Sequence, residues 1–408
     1  MTTGVAEMFS AMRVRNFRLY TAGQSITNTG TWMQSIAQDW LVLELTGSPA
    51  AVGVTMALQF LPMLLLGMYG GALADRFPKR SLLIATQAAN GVFTTLLAVL
   101  TISGRVQLWE VYALTLAGGC IFVVDSPARQ VFVNELVPAE YVRNAIGLNA
   151  AVFQTTRLVG PGIAGLLIST VGSGWAFAAN AVCFLLPIMV LLRIRGSELI
   201  AAPRVPREPG QLRDTLRYVA ARPHLAWTIG LVGVVGTFGL NFPIVLTGMA
   251  RDSFHGGASL YGLFNIMLAV GSVSGALTAG TRTRVRLRQL TAGAAAFGVA
   301  QVAAALAPDE VSFLVLLAVM GAVNLAFQAM ANSFVQIGCD PAYRARVMGL
   351  YMLVFVGGTP IGAPIIGALT SAFGARAGMV VCGAVPAVAA VAVGVLLASR
   401  SRQLALAA

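Results

Sequence analysis

Apolar residues fill the chain in long runs, near residues 18–45, 50–74, 81–103, 108–128, 146–170, 174–194, 223–249, 258–280, 289–307, 311–333, 347–372 and 377–398. Each is long enough to approach or exceed the roughly 20 residues a helix needs to cross a hydrocarbon layer about 30 Å thick. The pattern predicts an all-α membrane protein with twelve spans joined by short polar loops. One stretch departs from it. Residues 195–222 carry Pro203, Pro206 and Pro209, then Leu212, Leu216 and Val219 at helical spacing beside Arg213 and Arg217. This predicts a proline-rich linker and a short amphipathic helix lying on the cytoplasmic membrane surface. The chain is thereby divided into 1–194, 195–222 and 223–408, with six spans on either side of the linker.

The two sides repeat one another. Gly147, Leu148, Val152, Phe153, Gly160, Ile163, Gly165, Leu167, Ser169 and Gly172 each find an identical residue 202 positions later, from Gly349 to Gly374. Gly71-Ala-Leu-Ala returns as Gly275-Ala-Leu-Thr at nearly the same offset. Chance likeness between apolar helices does not easily keep five glycines in register. The repeat predicts two six-helix bundles in parallel orientation, related by an axis along the membrane normal, an arrangement of one large class of secondary transporters.

Composition supports a bilayer. Only 10% of residues are charged and 57% are hydrophobic, against about 25% charged in an average soluble domain. A water-soluble protein of this length is excluded, since so few charges cannot cover its surface. The net charge of +12 does not mark a nucleic-acid binder, because the basic residues sit in short clusters between apolar runs. Of the 27 Lys and Arg residues, only Arg105, Arg251 and Arg376 fall in the loops of one side, and Arg157 falls inside a span. The asymmetry predicts both termini in the cytoplasm. The N-terminus, with Arg13, Arg15 and Arg18 leading into the first span, is expected to be retained. Cys120, Cys183, Cys339 and Cys382 are scattered through apolar stretches, so neither a disulfide framework nor a zinc site is expected.

The residues able to do chemistry are few. Lys79 is the only lysine, which excludes a Gly-x-x-x-x-Gly-Lys phosphate loop, and two histidines give an enzyme almost nothing to work with. In the first span, Gln24, Asn28, Thr31, Ser35 and Gln38 follow spacings of 4, 3, 4 and 3, one stripe of a helix, with Asp39 at its edge. Such a stripe either lines a water-filled pathway or packs the helix on its neighbours by hydrogen bonds; the pathway is the favoured reading. Arg157 lies deep in the fifth span, where a charge costs at least about 2.5–3.5 kcal/mol, and is read as a pathway residue, a structural ion pair being the alternative. Spans five and eleven hold matched breakers, Gly160, Pro161 and Gly165, then Pro360, Gly362 and Pro364, which let helices bend and pack closely.

Several of these motifs resemble those of a known family. Gly71-Ala-Leu-Ala-Asp75-Arg76-Phe-Pro-Lys79-Arg80 resembles the loop signature of the major facilitator superfamily, with Pro78 where that signature usually has glycine. Gly160-Pro161 with Gly165 is similar to the fifth-span signature of its drug–proton antiporters. Arg15-Asn-Phe-Arg18, Trp40-Leu-Val-Leu, Asp125-x-Pro-Ala-Arg129-Gln and Arg157-Leu-Val-Gly-Pro together resemble the enterobactin-exporter-like, transmembrane-secretion-effector branch. The resemblance implies a twelve-helix secondary transporter in the bacterial cytoplasmic membrane. It would export small amphipathic or hydrophobic compounds in exchange for protons, as a monomer needing no cofactor beyond the proton gradient and no nucleic acid. Metabolite import and a non-transporting membrane sensor are the alternatives. It further implies a cytoplasmic gate made of Gly71, Asp75, Arg76, Lys79 and Arg80 with Asp125 and Arg129; a purely topological cluster of positive charge is the alternative.

Overall fold

The computed structural model describes residues 9–200, 211–280 and 286–406. Among them every regular element is helical. The first set is α1 (Arg15–Thr46), α2 (Pro49–Arg76), α3 (Lys79–Ile102), α4 (Leu108–Glu135), α5 (Val142–Val171) and α6 (Ser173–Arg193). The amphipathic segment forms α7 (Gln211–Ala220), while the three linker prolines lie outside the described residues. There follow α8 (Pro223–Val234), α9 (Phe242–Gly248), α10 (Ala258–Gly280), α11 (Leu287–Ala305), α12 (Glu310–Gly338), α13 (Pro341–Gly357), α14 (Thr359–Phe373) and α15 (Ala375–Leu406). Helix thus stands at each predicted span.

Among the described residues, ten helical stretches are long and apolar enough to cross a membrane. The two predicted spans outside that set are α1 and α11. Both have sufficient length, but α1 carries the polar stripe and α11 is built largely on weakly apolar alanine and glycine. Their average apolarity is correspondingly low. Two spans are also interrupted. A π-helical turn at Val235–Gly239 separates α8 from α9, and α13 gives way to α14 at Gly358. Polar side chains meet the backbone acceptors near the first break: Asn241 Nδ2 donates to the Thr237 and Phe238 carbonyls at 2.8 and 3.0 Å, and Gln301 Nε2 to that of Gly239 at 3.2 Å. Such side-chain partners make broken helices tolerable where water is absent.

Contacts divide the chain into two compact units. One comprises Met1–Thr46, Leu61–Pro206 and Ala258–Leu263, the other Gly47–Phe60, Arg207–Gly257 and Phe264–Ala408. Within the first, α1 packs on α5 and α6, and α3 on α6. Within the second, α11 packs on α15 and α12, and α14 on α15. The sequence repeat reappears as a packing repeat. A Cβ on Gly160 would stand 2.5 Å from Trp32 Cβ and 3.0 Å from the Thr29 carbonyl oxygen of α1, and one on Gly362 would overlap the Thr237 carbonyl oxygen of the π turn. Gly172 and Gly374, also 202 apart, end α5 and α14 with φ of 92° and 87°, a conformation only glycine adopts readily. At one end of the first unit, Phe17, Tyr20, Leu83, Phe132, Val133, Leu136 and Leu191 form an apolar core. The polar site described next adjoins it.

Candidate functional site

The hydroxyls of α1 satisfy themselves. Thr21, Ser25, Thr27 and Thr31 donate to the carbonyls of Phe17, Thr21, Gly23 and Thr27, each one turn back along the helix. These hydroxyls are thereby spent within the helix, and the interhelical contacts described next come from other side chains of α1. Gln24 is buried; its Nε2 donates to Asn28 Oδ1 at 2.8 Å and its Oε1 accepts from Arg129 Nη1. One turn before Arg129 on α4 stands Asp125, buried, which accepts from Arg129 Nε and, at 3.2 Å, from Nη2. Thr86 Oγ1 of α3 donates to Asp125 Oδ1 at 2.6 Å. With its amide oriented by its neighbours, Gln87 accepts from Arg129 as well. α1, α3 and α4 are thus pinned around one ion pair, and the pair's hydrogen-bonding groups meet partners on all three. A small cavity bounded by Tyr20, Gln24, Gln87, Arg129 and Pro187 adjoins the pair. It has room for about a single water molecule.

Toward the C-terminal end of α1, buried Asp39 accepts from the Tyr261 hydroxyl at 2.9 Å. Tyr261 stacks on Trp40, with ring centroids 6.3 Å apart, and Trp40 Nε1 donates to Glu44 at 2.6 Å. Gly165 and Gly262 bring α5 against this first turn of α10: a Cβ on Gly262 would lie 2.8 Å from the Pro161 carbonyl oxygen. Arg157 sits midway along α5 with its guanidinium 5.6 Å from the Trp32 ring centroid, and Phe153 meets that ring edge-on. Among the described residues no carboxylate pairs with Arg157. Gln38 is buried on the same stretch of α1 as Asp39.

The basic residues after α2 are placed differently from Asp125. Arg80 Nε and Nη2 donate to the Leu191 and Leu192 carbonyls at 2.7 and 2.9 Å, capping the C-terminal end of α6, where a cation is favoured. Arg76 is exposed and Lys79 half-buried. The surroundings of Gly71 and the side chain of Asp75 lie outside what the structure describes. The structure therefore brings Asp125 together with Arg129, Gln24 and Thr86. Pro360 opens α14 at its first turn, and Gly362 and Pro364 follow inside it.

Residues absent from the sequence expectation complete the arrangement. Gln34 Oε1 accepts from Thr94 Oγ1 at 2.9 Å and from Asn180 Nδ2, joining α1, α3 and α6. Tyr20, one turn before Gln24, and Gln87, two turns into the third apolar run, were legible as polar groups inside spans. Their partners were not.

The family described as transmembrane secretion effector matches residues 6–405. The chain is 28% identical over 383 residues to the multidrug efflux pump Tap of Mycolicibacterium fortuitum, covering 88% of this chain and 89% of that protein. It is 24% identical over 358 residues to the enterobactin exporter EntS of Escherichia coli O1:K1, covering 86% and 85%. To the staphyloferrin A transporter of Staphylococcus aureus it is 22% identical over 248 residues, 60% of this chain and 62% of that protein. Among solved structures, a bacterial homologue of the human lysosomal transporter Spinster superposes with a TM-score of 0.75 at 15% identity, covering 93% of this chain and 95% of that one.

Proposed function

This chain belongs to the transmembrane secretion effector family of major facilitator transporters, and from that premise we propose that it exports small amphipathic or hydrophobic compounds across the bacterial cytoplasmic membrane. Export proceeds by alternating access, in exchange for protons, with both termini in the cytoplasm. The observation that supports this reading is the polar face of α1. A membrane helix that buries Gln24, Gln38 and Asp39 among apolar neighbours pays for them in stability, a cost met where polar groups serve a pathway. The exporters Tap and EntS among its relatives favour the outward direction.

The side chains divide the work. Asp125 and Arg129 hold α1, α3 and α4 together through Gln24 and Thr86, so the bundle moves as a body. Arg157, resting on Trp32, offers a fixed positive charge beside an aromatic face, suited to a compound with a planar apolar part and an anionic group. Arginine stays protonated in proteins, so Arg157 is not the proton carrier. Gly71, Asp75, Arg76, Lys79 and Arg80, with Asp125 and Arg129, form the cytoplasmic gate, and Arg80 anchors the start of α3 on the end of α6.

The test is reconstitution in inside-out vesicles with an imposed pH gradient and a panel of amphipathic compounds. Uptake of at least one compound, driven by an acid lumen and abolished by a protonophore, is the expected result. Uptake driven only in right-side-out vesicles reverses the direction, and no counterflow with any compound removes the transport reading.

A further inference from the structure

Among the described residues, α7 is fastened through Tyr218 and Arg222. The Tyr218 hydroxyl donates to Asp340 Oδ2 at 2.9 Å and accepts from the Asp340 backbone N–H at 2.9 Å. Its ring stacks on Tyr343 with centroids 4.1 Å apart. Arg222 lies over the other side of that clamp, 3.7 Å from the Tyr218 ring centroid, and donates to Asp340 at 3.1 Å. Thr215 and Val219 are buried with Tyr218. Asp340 immediately precedes α13, so the clamp fixes α7 to the first turn of a broken span.

Another side of α7 faces outward with an apolar surface. Leu212 and Leu216 are 39% and 48% exposed, and Arg213 and Arg217 are exposed beside them. At 3.6 residues per turn the two leucines stand about 40° apart, and the arginines follow at about 100° and 140° from Leu212. Asp214 falls about 180° from the middle of the leucine pair, on the far side. α7 ends at Ala220, and α8, the start of a stretch apolar enough to cross a membrane, begins at Pro223. A connection this short reaches about 10 Å, so α7 is held at the bilayer surface.

We infer that α7 is a docking surface for anionic phospholipid, with Leu212 and Leu216 entering the acyl boundary and Arg213 and Arg217 meeting headgroup phosphates. Charge complementarity and tethering both favour this occupant. Both arginines border the leucines along one edge, where they reach toward the headgroup level, while the one acidic side chain of α7 points away. A soluble acidic partner would meet the arginines without needing exposed leucines beside them. The clamp carries the consequence inward: bilayer charge stabilises the junction between α7 and the start of α13. The inference rests on the membrane placement of α8 and not on the direction of transport.

The test uses the full chain in nanodiscs of phosphatidylcholine, or of an equimolar mixture with phosphatidylglycerol. A nitroxide is placed by Leu216→Cys or by Asp214→Cys in a background with the four native cysteines replaced by alanine. In the mixed discs the label at 216 is expected to be reached by oxygen and shielded from an aqueous nickel chelate. In pure phosphatidylcholine it should move toward water, while the label at 214 stays aqueous in both. Adding Arg213→Gln and Arg217→Gln, both exposed and tolerable to folding, should weaken the response to phosphatidylglycerol about 25-fold, about fivefold per arginine. A label at 216 that is aqueous in both lipids, or equally deep in both, overturns the inference. So does a phosphatidylglycerol response unchanged by the two glutamines. None of these readouts requires transport, so failure here and failure of the export reading are separate results.

Discussion

Asp125→Asn is the most informative single change, because it removes a charge while keeping shape and hydrogen-bonding capacity. If the pair with Arg129 behaved as an exposed i,i+4 contact on a helix, its loss would cost about 0.3–0.5 kcal/mol. The surroundings argue for a larger figure. The Asp125 side chain is 8% exposed and that of Arg129 19%, and two unit charges about 4 Å apart at an effective dielectric near 20 attract by about 4 kcal/mol. Removing one partner of a buried pair leaves the other uncompensated, at about 3–5 kcal/mol; the partial exposure of Arg129 places the expected loss near the lower limit, about 3 kcal/mol. Arg129→Gln should cost a similar amount. The double variant should cost much less than the sum, since no lone charge remains, giving a coupling energy of about 2 kcal/mol or more. Reversible unfolding in mixed micelles, run as a double-mutant cycle, measures it. A coupling below about 0.5 kcal/mol would mean that the pair is worth no more than a surface contact, and the account of the α1, α3 and α4 junction would fail. In proteoliposomes the same substitution should slow transport more than it weakens substrate binding, because it acts on the body that moves.

Arg157→Ala is expected to abolish transport in a protein that still folds, with Arg157→Lys retaining part of it; unchanged transport by well-expressed Arg157→Ala would return the residue to a packing role. Gly362→Ala forces a Cβ into the Thr237 backbone carbonyl and should lower stability by about 1–3 kcal/mol. Gly349→Ala, with nothing within 4 Å of the new Cβ, should leave the thermal midpoint unchanged or raise it. Asp309 accepts from the Ser312 backbone N–H at 2.9 Å, which with the Ser312 hydroxyl holds its carboxyl below the ordinary carboxylate range. Its contribution to stability is therefore present above the unfolded carboxylate value and lost as pH falls through the lowered folded value. The gap in melting temperature between wild type and Asp309→Ala should accordingly shrink in strong acid, and a gap constant across pH would contradict this. For topology, a cysteine at Ser253 should react with an impermeant reagent from outside and one at Arg207 should not.

The helices were legible because bilayer and helix impose simple periods on a chain. Length of apolar run, glycine offset and arginine asymmetry are local or pairwise features, and a helix satisfies its own backbone without help from elsewhere. The repeat was readable for the same reason: glycines at 160 and 362 must be small wherever a neighbouring backbone comes close, whatever that neighbour is. The sequence also marked Gln24, Asp39, Asp125 and Arg157 as costly residues in a membrane. What it left open was their company. Asp125 pairs with Arg129 and is braced by Thr86 and Gln24, while Arg80 turns to the carbonyls of Leu191 and Leu192. Asp39 meets Tyr261, 222 positions away. Polar groups in an apolar medium take the partner that packing brings within about 3 Å, and helix packing is decided by which small residues let which backbones approach. Spacing along one helix says which residues share a face; only the tertiary structure decides what that face touches.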